Sequence, residues 1–438
     1  MAFDTVTRAR RTARVVRAAA RIYLGYKRTE RRARRLGPEA AAAAWEVRHA
    51  KAAETLYQLA TKQKGLYIKT GQFIGTRSDL APAAYTRSLS RLQDRVPPRP
   101  VAQVRRTIEA ELGRPVAALF ASFDDSPLAA ASLAQVHRAR LADGREVAVK
   151  VQYPEVARLV GLDIRNLRMI VGLVARREPN FDYRAIINEL GQQVPLELDF
   201  RREAALTKRV AANLRGLPRV VLPAVVDELS TGKVLVTEFI AGQRLLDFAA
   251  RRRPSGTEAG DSFSSPDGPA LALAITEAYG HQILVDGLFQ ADPHPGNILV
   301  LPDGRVGLLD FGLTKELPAQ SRLGFARLVV AAAKRDGAGL VQACRELGLR
   351  TRSDNPADIL PLMQLFFDAR PIGGEGNAGF GARREAVRAN PIEAIPGDLV
   401  LLGRVVGLLR GVCTTLGAPL SPMQMLLPHA ERALAEGQ

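Results

Sequence analysis

The stretch Asp292-Pro-His294-Pro-Gly-Asn297, with Asp310-Phe311-Gly312 shortly after it, decides the fold of this 438-residue chain. The first segment places an aspartate and an asparagine five residues apart in a proline-rich loop, and the second follows a short apolar strand at 306–309. Upstream, Val147-Ala148-Val149-Lys150 closes the second strand of a hairpin predicted at 134–140 and 145–151 around Asp143-Gly144. Each signal is weak alone, but the three in this order form one constellation.

This order of a strand lysine, a loop aspartate with its asparagine, and an aspartate before Phe-Gly is similar to the signature set of protein kinases. Lys150 would supply a cation to the α- and β-phosphates of ATP. Asn297 and Asp310 carry the oxygen donors that Mg²⁺ prefers, and Asp292 can accept a hydroxyl proton or orient a water. Taken singly, these residues also fit an edge-strand lysine, a turn before a proline and a helix N-cap. Jointly they favour a catalytic site.

The segment before the lysine strand departs from ordinary kinases. Where a glycine-rich loop is expected, the chain has Ala129-Ala130-Ala131-Ser132, followed by Val136 on the next strand. Alanine does not readily adopt the positive φ angles that bring a glycine backbone close to phosphates, so these five residues predict nucleotide bound in an altered pose. No Ala-Pro-Glu follows Asp310, which predicts a truncated peptide-docking segment.

With these departures the sequence resembles the UbiB-type atypical kinase-like family, from about residue 40 to residue 420. The resemblance rests on Lys69-Thr70-Gly71-Gln72 (the family's K-x-G-Q), the alanine-rich loop, Glu197-Leu198-Asp199 (its E-x-D), and the Asp292 and Asp310 motifs. It implies that a helix glutamate, for which Glu203 is the best candidate, partners Lys150. It also implies that the K-x-G-Q helix folds over the active-site mouth and contacts the E-x-D motif near the metal. The gating residues so implied are Lys69, Gln72, Glu197, Asp199 and Glu203.

Two further strands are predicted beyond the E-x-D motif, at Val220–Val226 and Lys233–Ile240, with a turn at Ser230–Gly232. Backbone groups of Glu238 and Phe239 in the second strand would meet adenine, although a plain core strand is the alternative. Pro223 demotes the first strand to an edge or broken strand. Helical patterns fill most of the remainder, at 39–64, 101–121, 155–175, 184–210, 269–286 and most of the last 120 residues.

Charge is concentrated at the N-terminus of the chain. The whole chain has a net charge of +17, and residues 1–36 hold 12 basic and two acidic groups, or +10. Val15, Ala19, Ile22 and Tyr26 fall on one helical face within this segment. An anionic membrane surface, a solvated or packed helix, and a nucleic-acid tail all fit such a helix, and the last fits least well. Two cysteines and five scattered histidines exclude a disulfide scaffold and a zinc finger.

We therefore predict an α+β, protein-kinase-like bilobal fold with a helical N-terminal extension. The predicted divisions are a basic helix (1–38), an extension carrying K-x-G-Q (39–126), a small lobe (127–242) and a helical large lobe (243–438) with an insert at 251–269. The resemblance implies ATP and Mg²⁺ as cofactors and slow, lipid-stimulated ATP hydrolysis in isoprenoid-quinone or related lipid metabolism. Lipid-biosynthesis proteins are possible partners, and the expected location is cytoplasmic and peripheral to the membrane. A true phosphotransferase and a nucleotide-gated lipid-binding scaffold are the alternatives.

Overall fold

The computed structural model describes residues 2–75, 82–94, 98–178, 184–251, 266–353, 355, 358–359, 390–418 and 422–437. Most of the predicted insert at 251–269 lies outside these described residues. Contacts along the chain divide it into two compact units. The first unit comprises Met1–Arg202 and Val226–Phe239, and the second comprises Glu203–Val225 and Ile240–Gln438.

The first unit contains a helical N-terminal region followed by a small sheet, as the sequence predicts. Its helices are α1 (Ala2–Ala33), α2 (Pro38–Gln63), α3 (Leu66–Gly75), α4 (Ala83–Leu89), α5 (Arg91–Asp94), α6 (Val101–Leu112), α7 (Val116–Leu119), α8 (Val156–Arg177) and α9 (Arg184–Glu197). Its strands are β1 (Ser122–Ala130), β2 (Ala134–Arg140), β3 (Glu146–Gln152) and β5 (Val234–Glu238). The chain passes into the second unit within α10 (Phe200–Asn213).

The sheet of the first unit has the strand order β1-β2-β3-β5, with every neighbouring pair antiparallel. β2 and β3 confirm the predicted hairpin, because their alternating apolar residues bury one face in a core shared with α6. The sequence does not predict β1. That strand is largely polar and exposed, contains Pro127, and shifts register on both sides of this proline. Strand patterns depend on alternation and avoid proline, so β1 leaves no signal.

The apolar face predicted on the N-terminal helix packs within the first unit. Val15 is 2% exposed and belongs to a core cluster with residues of α2 and α3. Arg11 donates from Nε and Nη2 to the carboxylate of Asp163 on α8, at 2.7 and 2.6 Å, and from Nη1 to the Gln63 carbonyl at 2.6 Å. Burial raises the pKa of Asp163, and the Arg11 hydrogen bond opposes that rise. The packed-helix alternative therefore describes this face of α1.

The described part of the second unit is mainly helical and contains one four-stranded sheet and two two-stranded sheets. Its helices are α11 (Leu245–Arg251), α12 (Gly268–Gly280), α13 (Ala319–Ala333), α14 (Gly337–Leu347), α15 (Gly397–Thr415) and α16 (Pro422–Glu436), and a π-helical segment, His281–Asp286, follows α12. Its strands are β4 (Val220–Val221), β6 (Gln243–Arg244), β7 (Leu288–Gln290), β8 (Ile298–Val300), β9 (Val306–Leu308), β10 (Thr314–Glu316), β11 (Arg350–Thr351) and β12 (Ile392–Ala394). The four-stranded sheet has the order β4-β9-β8-β6, β7 pairs with β10, and β11 pairs with β12.

The predicted strand Val220–Val226 is broken, one of the two outcomes expected from Pro223, and only its first two residues form a ladder. Only Val220 and Val221 form a strand, and they pair parallel with β9 in the second unit. Pro223 lacks the N–H group that a longer ladder would need. By contrast, the helical pattern predicted for most of the last 120 residues includes α15, which contributes Leu402, Val405 and Leu409 to the main core. No helix within the described ranges is long and apolar enough to cross a membrane.

Candidate active site

The first unit aligns three of the predicted nucleotide-binding residues across its sheet. Ala129 on β1 lies opposite Val136 on β2, and Val136 lies opposite Lys150 on β3. Residues directly opposite one another in an antiparallel pair project from the same face. The neighbouring Val149 and Val151 project from the other face into the core. We call this cross-strand line the lysine row. The Lys150 ammonium also lies 5.2 Å from the centre of the Phe200 ring.

The alanine-rich loop closes the β1–β2 turn with ordinary backbone conformations. The Ala131 N–H donates to the Ala134 carbonyl at 2.8 Å, and the Tyr153 hydroxyl donates to the Ala131 carbonyl at 3.2 Å. Ala129 and Ala131 are exposed, whereas Ser132 is buried. None of the residues 129–132, all of them described, has a positive φ angle. The loop therefore requires no glycine.

The predicted strand Lys233–Ile240, whose backbone is expected to meet adenine, is β5, at the edge of the sheet next to β3. Glu238 is exposed and lies opposite Val147, and the Phe239 N–H donates to the Glu146 carbonyl at 3.0 Å. The guanidinium of Arg138 lies 4.5 Å from the centre of the Phe239 ring. The structure thus places these two predicted residues at the end of the strand that borders the lysine row.

The K-x-G-Q and E-x-D motifs meet within the first unit. Lys69 Nζ on α3 lies 2.9 Å from Glu197 Oε2 at the end of α9. Gln72 donates to the Leu92 carbonyl at 3.0 Å, and an added Cβ at Gly71 would lie 2.4 Å from the Leu92 side chain. The glycine therefore lets α3 approach the Leu92 segment closely.

The second carboxylate of the E-x-D motif has a different local role. Asp199 precedes α10, and its Oδ1 accepts a hydrogen bond from the Arg201 N–H at 3.1 Å. This is the geometry of a helix N-cap. The motif therefore combines an ion pair to the K-x-G-Q lysine with a cap for the next helix.

The second unit carries the predicted catalytic loop between β7 and β8. The Asn297 amide donates to the Asp292 carbonyl at 3.4 Å, and the Leu309 N–H donates to the Asn297 carbonyl at 2.9 Å. These bonds tie the loop to the strand segment that precedes Asp310. The loop aspartate and asparagine therefore belong to one hydrogen-bonded turn.

Asp310 occupies a left-handed backbone conformation, with φ of 59°. Such a conformation is uncommon for a residue other than glycine and is typical of functional sites. The Asp310 carboxylate is exposed and accepts a hydrogen bond from the Gly312 N–H at 3.2 Å, while Phe311 is buried. An added Cβ at Gly312 would lie 3.3 Å from Asp310 Oδ1 and 3.4 Å from Glu203 Oε2. Glu203 is thus buried beside the Asp310 turn of the second unit.

The donor set of this turn suits Mg²⁺. Asp310 offers carboxylate oxygens and Asn297 an amide oxygen, and both side chains retain exposed surface. Mg²⁺ binds through few protein oxygens and keeps waters or phosphate oxygens as further ligands. These two residues therefore fit the ion that the kinase-like signature implies.

A buried glutamine behind the turn was not anticipated by the sequence analysis. Gln290 is fully buried, and its Nε2 donates to the carbonyls of Leu309 and Asp310 at 2.6 and 2.5 Å. Its Oε1 accepts a hydrogen bond from the Tyr279 hydroxyl. Burial, and to a lesser extent the charge of Asp292, raises the pKa of Tyr279 well above its usual range. The sequence signal that could have indicated this residue is a glutamine at the end of the apolar strand β7.

A remote arginine contacts the loop aspartate. Arg404 Nη2 on α15 lies 3.2 Å from Asp292 Oδ1, and both side chains are partly exposed. In the sequence, Arg404 interrupts the apolar run between Leu399 and Leu409. A charged residue within an apolar helical run is the sequence signal that could have indicated this ion pair.

Comparisons with known proteins agree with this geometry. The ABC1 atypical kinase-like domain matches residues 91–344 of the chain. AarF domain-containing protein kinase 1 of Mus musculus is 34% identical over 410 residues, covering 89% of this chain and 75% of the mouse protein. The chloroplastic protein ACTIVITY OF BC1 COMPLEX KINASE 7 of Arabidopsis thaliana is 31% identical over 376 residues, covering 84% of this chain and 52% of that protein.

A solved structure has the same architecture. It is Rv3197 of Mycobacterium tuberculosis in complex with erythromycin, which is 27% identical, with a TM-score of 0.60. The alignment covers 89% of this chain and 96% of that one. The predicted α+β kinase-like fold with a helical N-terminal region is thereby confirmed.

Proposed function

Because this chain belongs to the ABC1/AarF atypical kinase-like family, the UbiB-type family that its motifs resemble, we propose that it binds Mg-ATP and hydrolyses it slowly, at a rate that an anionic lipid surface raises. Two observations support the proposal together. The first unit contains the lysine row. The second unit contains the Asp292–Asn297 loop and the Asp310 turn. Both parts have the residue types that phosphoryl transfer needs.

Each side chain has a distinct task in this proposal. Lys150 neutralises charge on the α- and β-phosphates, and Val136 with the alanine-rich loop covers the nucleotide. Asn297 and Asp310 hold Mg²⁺, which when bound neutralises charge that develops on the phosphates. Asp292 orients the attacking water and accepts its proton.

The exposed side of α1 supports the lipid part of the proposal. Arg10, Arg14, Arg17, Arg21 and Arg28 are spaced four, three, four and seven residues apart, so they share one stripe, and all five are exposed. No acidic residue occurs between residues 5 and 29. Basic residues next to an anionic bilayer contribute about 1 kcal/mol each. We call these five residues the arginine stripe.

α8, which packs beside α1, presents a similar outer side. Arg165 and Arg168 are exposed, Met169 and Leu173 are each 52% exposed, and the single acidic residue of the helix, Asp163, is buried under Arg11. Exposed apolar side chains among basic ones suit a lipid interface. An isoprenoid-lipid role is the further implication of the family resemblance.

The test is phosphate release by the purified full chain with Mg²⁺. It is measured alone, with vesicles containing phosphatidylglycerol, and with pure phosphatidylcholine vesicles, beside the variant Asp310→Asn. We expect turnover that anionic vesicles raise several-fold, that neutral vesicles do not raise, and that Asp310→Asn abolishes. Turnover equal in wild type and Asp310→Asn would refute the hydrolysis.

A charge-reversal variant tests the lipid surface separately. Arg14→Glu, Arg17→Glu and Arg21→Glu together should abolish the stimulation by anionic vesicles but preserve turnover without vesicles. The matched control reverses three exposed arginines of the second unit, Arg327, Arg345 and Arg432. Equal loss of stimulation in both triple variants would contradict a specific role for the arginine stripe.

One observation favours a second candidate, the nucleotide-gated lipid-binding scaffold. The structurally similar Rv3197 is described in complex with erythromycin, a large organic ligand. For this chain, nucleotide binding without any turnover above Asp310→Asn would favour the scaffold. Phosphate incorporated into an added substrate would favour a phosphotransferase instead.

A further inference from the structure

We propose that Arg404 is a positioning residue that fixes the carboxylate of Asp292, which orients the water that attacks the terminal phosphate of ATP. The proposal rests on the proposed function, because it assigns Asp292 to the chemical step. The carrying observation is the ion pair between Arg404 Nη2 and Asp292 Oδ1, at 3.2 Å. The two residues are 112 positions apart in the sequence and lie on α15 and the catalytic loop.

Placing the Arg404 guanidinium on α15 costs desolvation free energy unless an anion compensates its charge. Val405 and Val406, which follow it, are buried in the main core of the second unit. Only 24% of the Arg404 side chain is exposed, and its Nε is buried without a hydrogen-bond partner in the described part of the chain. A largely buried guanidinium requires a compensating anion. Asp292 supplies that anion, so each residue restrains the other.

The catalytic loop does not provide this restraint itself. Between Asp292 and Asn297 the chain reads Pro-His-Pro-Gly, without lysine or arginine. The side chain of His294 bonds to the loop backbone, since its Nδ1 accepts a hydrogen bond from the Gly296 N–H at 3.1 Å. The two prolines hold the backbone, but they do not fix the rotamer of Asp292. The cation from α15 therefore fixes the carboxylate.

The proposed role has a specific kinetic signature. A carboxylate free to rotate away from the attacking water slows the chemical step but does not weaken nucleotide binding. Misplacement of a catalytic group by about 1 Å costs up to roughly 100-fold in rate. Arg404→Gln should therefore lower kcat by about 10- to 100-fold, with KM for ATP changed less than twofold. Arg404→Lys keeps the cation and should recover part of the lost rate.

The experiment compares wild type, Arg404→Gln, Arg404→Lys and the control Arg432→Gln by phosphate release over a range of ATP concentrations. Arg432 is an exposed arginine of α16 that pairs with Glu436, so its removal should leave kcat unchanged. Thermal unfolding is measured for every variant. Because Arg404→Lys keeps the charge, it provides the kinetic comparison if Arg404→Gln does not fold.

The outcomes separate this proposal from the proposed function. Wild-type kcat in Arg404→Gln, or a raised KM with normal kcat, would overturn the positioning role and leave hydrolysis established. A Lys variant that folds normally but is no more active than the Gln variant would also overturn it, because a cation would then not suffice. Wild-type turnover no greater than that of Asp310→Asn would overturn the proposed function, and with it the step that Arg404 serves.

Discussion

The lysine row and the Asp310 turn are positioned in different ways. Backbone ladder bonds place Ala129, Val136 and Lys150, which need no unusual conformations. Buried side chains hold the Asp310 turn, because the amide of Gln290 satisfies two of its carbonyls and the backbone of Asp310 itself is left-handed. The row should therefore tolerate side-chain changes that the turn does not.

The largest expected effect is at the turn itself. Asp310→Asn removes the carboxylate that we propose binds Mg²⁺, and it should lower ATP hydrolysis by about 100-fold or more. Its melting temperature should change little, because the carboxylate is exposed. Phosphate release with Mg²⁺ measures the effect. The control Asp303→Asn changes another exposed turn aspartate, which bonds to Arg305, and should retain full activity.

The next effect tests the support behind the turn. Gln290→Leu removes the hydrogen-bond partner of the partly buried carbonyls of Leu309 and Asp310 and leaves the buried hydroxyl of Tyr279 unpaired. We expect the free energy of unfolding to fall by about 2–3 kcal/mol, measured by urea denaturation. Gln342→Leu, which removes an exposed glutamine bonded to Glu346, should change it by less than about 0.5 kcal/mol. Equal losses in the two variants would contradict the supporting role.

A smaller effect is expected in the lysine row. Val136→Ala removes two methyl groups from the predicted nucleotide-facing side of the sheet, and the ladder bonds on both sides of residue 136 remain. Loss of about 1 kcal/mol of apolar contact should weaken ATP binding roughly fivefold, by calorimetry. Val47→Ala on the exposed side of α2 is the control and should bind ATP normally. An inactive Val136→Ala protein would show that the row is as sensitive as the turn.

The smallest effect concerns the alanine-rich loop. Ala130→Gly restores the backbone freedom that a glycine-rich loop would have, so we expect a few-fold gain in Mg-ATP affinity or the appearance of autophosphorylation. The cost should be about 0.5–1 kcal/mol in stability, because glycine has more freedom to lose on folding. Radiolabelled ATP reports both binding and phosphate incorporation. If Ala130→Gly has unchanged Mg-ATP affinity and shows no autophosphorylation, the backbone of the alanine-rich loop does not limit nucleotide binding.

The sequence predicted the elements that are specified by residues close together in the chain. The β2–β3 hairpin has clean alternation and an Asp-Gly turn, and the Asp292 and Asp310 motifs are short and contiguous, so the sequence predicted their places in the fold. β1 was missed because a polar strand containing Pro127 has no alternation. Arg404 and Gln290 were missed as site residues because a side-chain contact across a long stretch of chain leaves no periodic pattern. The Lys69–Glu197 pair was expected only through the family resemblance.

The buried pair between Arg11 and Asp163 also has a consequence for how the chain is made. The two residues are 152 positions apart, so α1 leaves the ribosome long before its partner on α8 exists. At roughly 5–20 residues per second, that interval is about 8–30 s. During it Val15 can already pack against α2 and α3, but the Arg11 guanidinium lacks the carboxylate that compensates its burial. The pairing of α1 with α8 therefore has to wait for a helix that is translated much later than α1.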